Sequence, residues 1–205
     1  LEQLPEPWKK SAVEGSETTR VLLRKKGINV FESLEDARLG DRQFSLITMF
    51  QVLEHIADFV PTLEQCRTLI SQDGRLAISV PLGSAMVDQE RLTGCPDMPP
   101  NHINRWTPDS LTLALQNAGF LVERILPQPS SFSEFLYAVY LCVRSRSELP
   151  RSLAAQVYKI KSRKMRASLL ALPVSATAMR LAPYWRILSR GSSFMVVASP
   201  GPRPH

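Results

Sequence analysis

None of the three cysteines, Cys66, Cys95 and Cys142, belongs to a CxxC pair or has histidines around it, and a bridge between any two would leave one over. That excludes a thiolate zinc site and a disulfide-stapled secreted scaffold, and points to a reducing cytosol. No apolar run reaches the roughly 18 residues of a membrane span, and the start lacks the basic-then-apolar layout of a signal peptide. A soluble, cytoplasmic protein is the expectation. Internal repeats and low-complexity tracts are absent too. Acidic residues are scarce in one place only: residues 144–190 carry 11 Lys/Arg against a single acid, Glu148, whereas residues 1–143 carry 13 against 18. The formal net charge of +6 therefore comes from one segment.

What is present fits one core. With 205 residues, 44% of them hydrophobic, the chain is long enough for one domain and short for two. Short β-branched runs alternate with longer amphipathic ones, the pattern of an α/β sheet. Strands are expected at 11–13, 29–31, 44–50, 75–80, 121–126 and 193–198. A helix capped by Thr107 should start at Pro108, with Asp109 in its positive first turn. Leu111, Ala114, Leu115 and Ala118 fall on one face, and Gly119 can take the left-handed cap. A second helix, at about 61–71, buries Leu63, Leu69 and Ile70 and stops before Asp73-Gly74.

Between residues 127 and 190 the alternation gives way to helical stretches punctuated by Pro150, Pro173 and Pro183. Strand composition returns in SSFMVVAS, so an insertion is expected between the last two strands of one sheet. Its basic residues Lys159, Lys161, Arg163, Lys164 and Arg166 cluster, while Leu153, Val157, Ile160 and Leu169 fall largely on another face. Such a helix can meet anionic lipid or an acidic substrate, giving a peripheral membrane contact through 144–190. Aromatics interleaved with base-reading side chains are lacking, so no specific nucleic acid is expected. The stretch 135–143, with Tyr137 and Tyr140, suits a lid over an apolar or lipid-linked acceptor.

The segment SLITMFQVLEHIADF carries the first chemistry. A buried strand ending in a polar cluster is where open α/β sheets bind ligands, and Gln51, Glu54 and His55 lie at that end. With FSLITMFQVLEHIAD, then DGRLAISVP, then NHINRWTPDSLTLALQNAGF in this order, the chain resembles the UbiE/UbiG-like class I S-adenosylmethionine-dependent methyltransferases, of the methyltransferase type 11/23 domain. The resemblance covers about residues 1–126 and the closing strand. It implies a Rossmann-like class I methyltransferase sheet, with a helical insertion at 127–190 before the last strand of a single 1–205 domain. The cofactor it implies is S-adenosyl-L-methionine, and the activity is methyl transfer to a small-molecule acceptor, lipid-linked or anionic, at oxygen.

By the same resemblance, Glu14 with Gly15, at the end of the family's second strand (11–13 here), receives the cofactor's ribose hydroxyls, since a carboxylate can accept two hydrogen bonds from a vicinal diol. Ser33, Leu34 and Glu35 meet the adenine side, and Phe50 with Gln51 the methionine side. His102 in PPNHINRW, and His55, are the candidate bases, because imidazole titrates near neutral pH. Glu54, His55 and His102 are similar to part of the ExxEH-plus-histidine set by which small-RNA 2′-O-methyltransferases hold magnesium. Gln51 replaces the first acid of that set, and an amide is a weaker ligand for a hard cation, so no metal is expected.

The family's glycine-rich turn, roughly ExGxGxG, has no counterpart here, and the opening LEQLPEPWKK reads as the tail of the helix after it. A chain lacking the family's first strand and cofactor loop is the expectation, and alone it should bind the cofactor poorly. An alternative follows from that lack: a non-catalytic methyltransferase-like interaction module whose basic segment faces a partner or a membrane. A nucleotide-binding oxidoreductase shares the acid-after-strand device but explains LEHI and NHINRW badly.

Overall fold

Strands form where the β-branched and aromatic residues concentrate, and the helices between them make parallel pairing possible. In the computed structural model, which describes residues 7–38, 43–95, 102–149 and 151–202, β1 (Ser11–Val13) pairs in parallel with β2 (Asn29–Phe31). A second sheet has the order β3-β4-β6-β5, built from β3 (Phe44–Phe50), β4 (Ile70–Pro81), β5 (Phe120–Pro127) and β6 (Ser193–Pro200). β3 and β4 run parallel, and β6 inserts antiparallel between β4 and β5. Among the described residues β1 pairs with β2 alone and β3 with β4 alone, so each keeps one edge without a strand partner. Leu1 to Glu6, Asn101 and Pro150, which figured in the expectations above, lie outside the described residues.

The helices are α1 (Glu17–Lys25), α2 (Leu34–Arg38), α3 (Phe59–Leu69), α4 (Gly83–Thr93) and α5 (Pro108–Asn117) around the strands. Across 127–190 run α6 (Phe132–Ser147), α7 (Leu153–Tyr158), α8 (Arg163–Leu181) and the short α9 (Trp185–Leu188). The expected cap of α5 is present. Thr107 Oγ1 accepts from Ser110 N at 3.1 Å while Thr107 N donates to Ser110 Oγ at 2.9 Å, a reciprocal box that satisfies two otherwise orphan donors. Gly119 follows with φ 81°, the left-handed conformation that favours glycine.

Two hydrophobic clusters result. The main one joins Leu53, Leu63, Cys66, Leu76, Ile78, Val80, Leu111, Leu115, Phe120 and Val196 across α3, α5 and the larger sheet. The second lies in the insertion, where Phe135, Ala138, Val139 and Cys142 of α6 meet Leu181 and Leu188. Pro173 does not end a helix as the sequence suggested; it sits inside α8. A proline removes one backbone donor, and the carbonyl left over belongs to Leu169, on an exposed part of the helix where water can serve it.

Cys66 gives the core a pH signature. Burial pushes its thiol up from 9.0 to about 11, because the thiolate is the form that loses hydration. The folded state therefore holds the proton more tightly than the unfolded chain. Stability should be constant below pH 9 with respect to this group and fall between pH 9 and 11, by about 1.4 kcal/mol per pH unit. Denaturant titrations of wild type and Cys66→Ala at pH 8 and 10.5 measure it: the pH-dependent loss should be smaller in the variant.

Candidate functional site

The carboxyl end of β3 is held in an unusual conformation. Gln51 has φ 55°, the one non-glycine residue with positive φ among those described, and its backbone N–H donates to Ser79 O at 2.8 Å. Its side-chain Nε2 donates to Ser79 Oγ at 3.0 Å. A side chain pays strain in this region, and such residues persist where surrounding bonds over-determine them. Phe50, just before it, is 56% exposed, an aromatic ring left uncovered at a strand end.

From Gln51 the chain drops into a 3₁₀ turn, Leu53–His55, that buries both Leu53 and Glu54 completely. The segment just before α5 is stitched onto this turn. Ile103 N and Asn104 N donate to Glu54 O at 2.9 and 3.0 Å, and Asn104 Nδ2 donates to Ile56 O at 2.7 Å. That stitching brings the His102 ring to within 4.8 Å of the His55 ring, centroid to centroid. Glu54 Oε1 lies 3.9 Å from His55 Nε2. Neither carboxylate oxygen of Glu54 has a hydrogen-bond partner, a costly state for a buried polar group. Glu54, His55 and His102 together offer ligand atoms within 4.8 Å of one another.

On the smaller sheet, Glu14 follows β1. Its backbone N–H donates to Phe31 O at 3.0 Å, and Oε1 accepts from Ser16 N at 2.8 Å, leaving acceptor capacity on the carboxylate. Beside it, a Cβ built on Gly15 would meet nothing within 4 Å. The turn is fixed by a residue that the sequence reading missed. Arg20, 7% exposed, donates through Nη1 to Glu14 O at 3.0 Å and Gly15 O at 2.7 Å, pairs with Glu17, and reaches Glu32 at 3.5 Å after β2. Its only trace in the sequence is the Glu17-to-Arg20 spacing on α1.

Ser33, Leu34 and Glu35 open α2 and are already engaged. Ser33 Oγ accepts from Asp36 N at 3.1 Å, while Ser33 N donates to Asp36 Oδ2 at 3.2 Å. Leu34 packs against the main core, and the Glu35 carboxylate accepts from Gln65 Nε2 of α3. Contact between α2 and α3 and the packing of Leu34 thus join the side of the smaller sheet to the larger one. Phe50, Gln51, Glu54, His55 and His102 are brought together past the end of β3; Glu14 and Gly15 follow β1, in the smaller sheet.

A cleft of about 330 Å³ opens at the same end of the larger sheet, lined by Phe50, Ser79, Leu126, Pro127, Gln128, Ser193, Phe194 and Met195. Its polar edge is ordered: Ser193 Oγ donates to Gln128 Oε1, and Gln128 Nε2 donates to Glu134 Oε1 at 2.8 Å. Apolar walls with a few aimed polar groups are ordinary small-molecule pocket chemistry. The histidine pair is not among its lining residues; Gln51, between Phe50 and the 3₁₀ turn, connects the two.

Residues 5–125 match the methyltransferase domain family. No curated protein sequence matches the chain. Among solved structures, a S-adenosylmethionine-dependent methyltransferase from Archaeoglobus fulgidus is similar with a TM-score of 0.53 and 16% identity, covering 92% of this chain and 75% of that one. Coclaurine N-methyltransferase, bound to N-methylheliamine and S-adenosylhomocysteine, gives 0.52 and 13% over 93% of this chain and 60% of its own. The [4+2]-cyclase SpnF gives 0.51 and 13% over 93% and 66%. At these identities the likeness establishes the fold, and a cyclase on that fold is a reminder that chemistry resides in the site.

Proposed function

The chain belongs to the class I S-adenosylmethionine-dependent methyltransferases, and from that premise we propose that it contributes the acceptor side and most of the cofactor-facing edge of an enzyme that methylates a small molecule at oxygen. The cofactor of the family supplies an electrophilic methyl group on a sulfonium. The residues present fit it: a carboxylate with spare acceptor capacity at Glu14, open space at Gly15, and an uncovered Phe50 ring, all at carboxyl ends of parallel strands. Glu14 accepts hydrogen bonds from the ribose diol, Leu34 and Glu35 border the adenine, and Phe50 with Gln51 border the methionine portion.

In-line methyl transfer needs two reactants held in line and, for a hydroxyl acceptor, a place for its proton. The acceptor is expected between the Phe50 cleft and the histidine pair, with His102 taking the proton and His55 beside it. Glu54 is buried next to His55 Nε2, 3.9 Å away. The observation that carries this reading is the pinned, left-handed Gln51 turn, which links the exposed Phe50 ring to the Glu54–His55–His102 cluster along the chain.

Calorimetry with S-adenosylhomocysteine tests it on the full-length protein. Glu14→Ala should weaken binding about 10- to 100-fold, the loss of hydrogen bonds to a charged acceptor. Unchanged affinity would remove Glu14 from the ribose. A second reading is favoured by the unpartnered carboxylate of Glu54: a divalent cation held by Glu54, His55 and His102. Turnover abolished by a chelator and restored by magnesium or manganese would select it.

A further inference from the structure

We propose that the insertion docks this protein on an anionic lipid surface, lying in the headgroup layer through the outward face of α8. This inference is independent of the methyl-transfer chemistry.

On α8, Met165, Leu169, Leu172, Ala176 and Met179 follow one another at i, i+4, i+7, i+11 and i+14, which confines them to an arc of roughly 80° on the helix. All five are exposed, Leu172 by 74% and Met179 by 72%. The packed face is a different one: Thr177 and Leu181 are buried, with Leu181 in the cluster around α6. The helix thus has two apolar faces, and only one is used by the fold. A solvated helix has no need of the second.

Charge supports one kind of occupant. Arg151, Lys159, Lys161, Arg163 and Lys164 are exposed and Arg166 half-buried, and no acid occurs from residue 149 to 190. A second copy of this chain would set like charges against each other, which disfavours self-association through the face. Next along the chain, Tyr184, Trp185 and Ile187 are each 40% exposed or more, and amphipathic aromatic rings suit the water–lipid boundary. An exposed apolar stripe on one helix with exposed cations at and just before its start, rather than a groove, matches an interfacial helix more closely than an acidic polypeptide. None of the helices among the described residues is long and apolar enough to cross a membrane, so the contact is along the surface.

Cosedimentation of the full-length protein with vesicles tests this. Vesicles of phosphatidylcholine with about one third phosphatidylglycerol should bind at least tenfold more tightly than phosphatidylcholine alone, and 0.5 M salt should remove most of the difference, as expected for polybasic attraction. Leu169→Ser with Leu172→Ser should lower partitioning about tenfold with circular dichroism and melting temperature unchanged, because both side chains are exposed. Lys159→Glu with Lys161→Glu and Lys164→Glu should lower it as much or more without touching the apolar stripe. Equal binding to neutral and anionic vesicles, or partitioning indifferent to both sets of changes, overturns the proposal. Binding to polyglutamate but not to anionic vesicles overturns it in favour of an acidic protein partner.

Discussion

His102→Ala should slow methyl transfer by about 10²- to 10⁴-fold, the range for losing a positioned general base, with S-adenosylhomocysteine affinity nearly unchanged. The segment carrying His102 is fixed by backbone bonds from Ile103 and Asn104 to Glu54 O, so truncating the imidazole should leave the loop in place. His55→Ala should cost less, because His55 has a side chain 44% exposed and acts as the neighbour of the base. Single-turnover rates of the two variants, measured with cofactor saturating, separate the roles. Unaltered turnover in His102→Ala would retire the base, while leaving the fold and the cofactor edge intact.

Gly191→Ala should destabilise the protein by about 3 kcal/mol or more, beyond the usual cost of overpacking. A Cβ at this position would stand 2.0 Å from Gln128 O and 2.6 Å from Gln128 C, backbone atoms that cannot swing away. The chain passes so closely here because it returns from the insertion alongside its own point of departure. Gln128 N donates to Ser193 O at 3.0 Å and Ser131 N to Ser189 O at 2.8 Å. Making room would part those bonds and shift Gln128, which lines the cleft. Domains are stable by only about 5–15 kcal/mol, so the loss should show as a large drop in melting temperature. Gly15→Ala is the control: with nothing within 4 Å of its added carbon, it should melt like the wild type.

The strands were legible because short β-branched runs bounded by turn residues are a local signal. All six expected runs form strands, and β6 pairs beside β5 as the position of the insertion required. The start of β4 was less legible. Pairing begins at Ile70 opposite Phe44 and shifts register before Leu46 meets Arg75, so the helix expected to run to about residue 71 ends at Leu69 and Asp73-Gly74 lies within an irregular strand. Gly74 is needed there, since a Cβ would stand 2.9 Å from Phe44 O. Glycine followed by a charged residue looks the same in either case.

Burial of charge was not legible. The sequence places Glu54 in a polar cluster at a strand end but carries no sign that it is fully buried; Ile103 and Asn104, about fifty residues on in the chain, bond its backbone carbonyl. Arg20 likewise looks like a surface residue of α1 until the β1 turn folds its carbonyls onto the guanidinium. The cleft is assembled from the ends of β3, β4 and β5 and the start of β6, and nothing local in Gln128 or Ser193 marks them as its edge. Pro173 errs in the other direction: a strong local stop signal is overridden because the exposed carbonyl it strands can be served by water.

Hydrogen exchange on the full-length protein, with and without S-adenosylhomocysteine, measures the central claim most directly. Added ligand should slow exchange together at Glu14–Ser16, at Ser33–Glu35 and at Gln51–His55, because one nucleoside would span the three strand ends. Slowing at one of these segments without the others, or only within residues 127–190, would contradict a single cofactor edge.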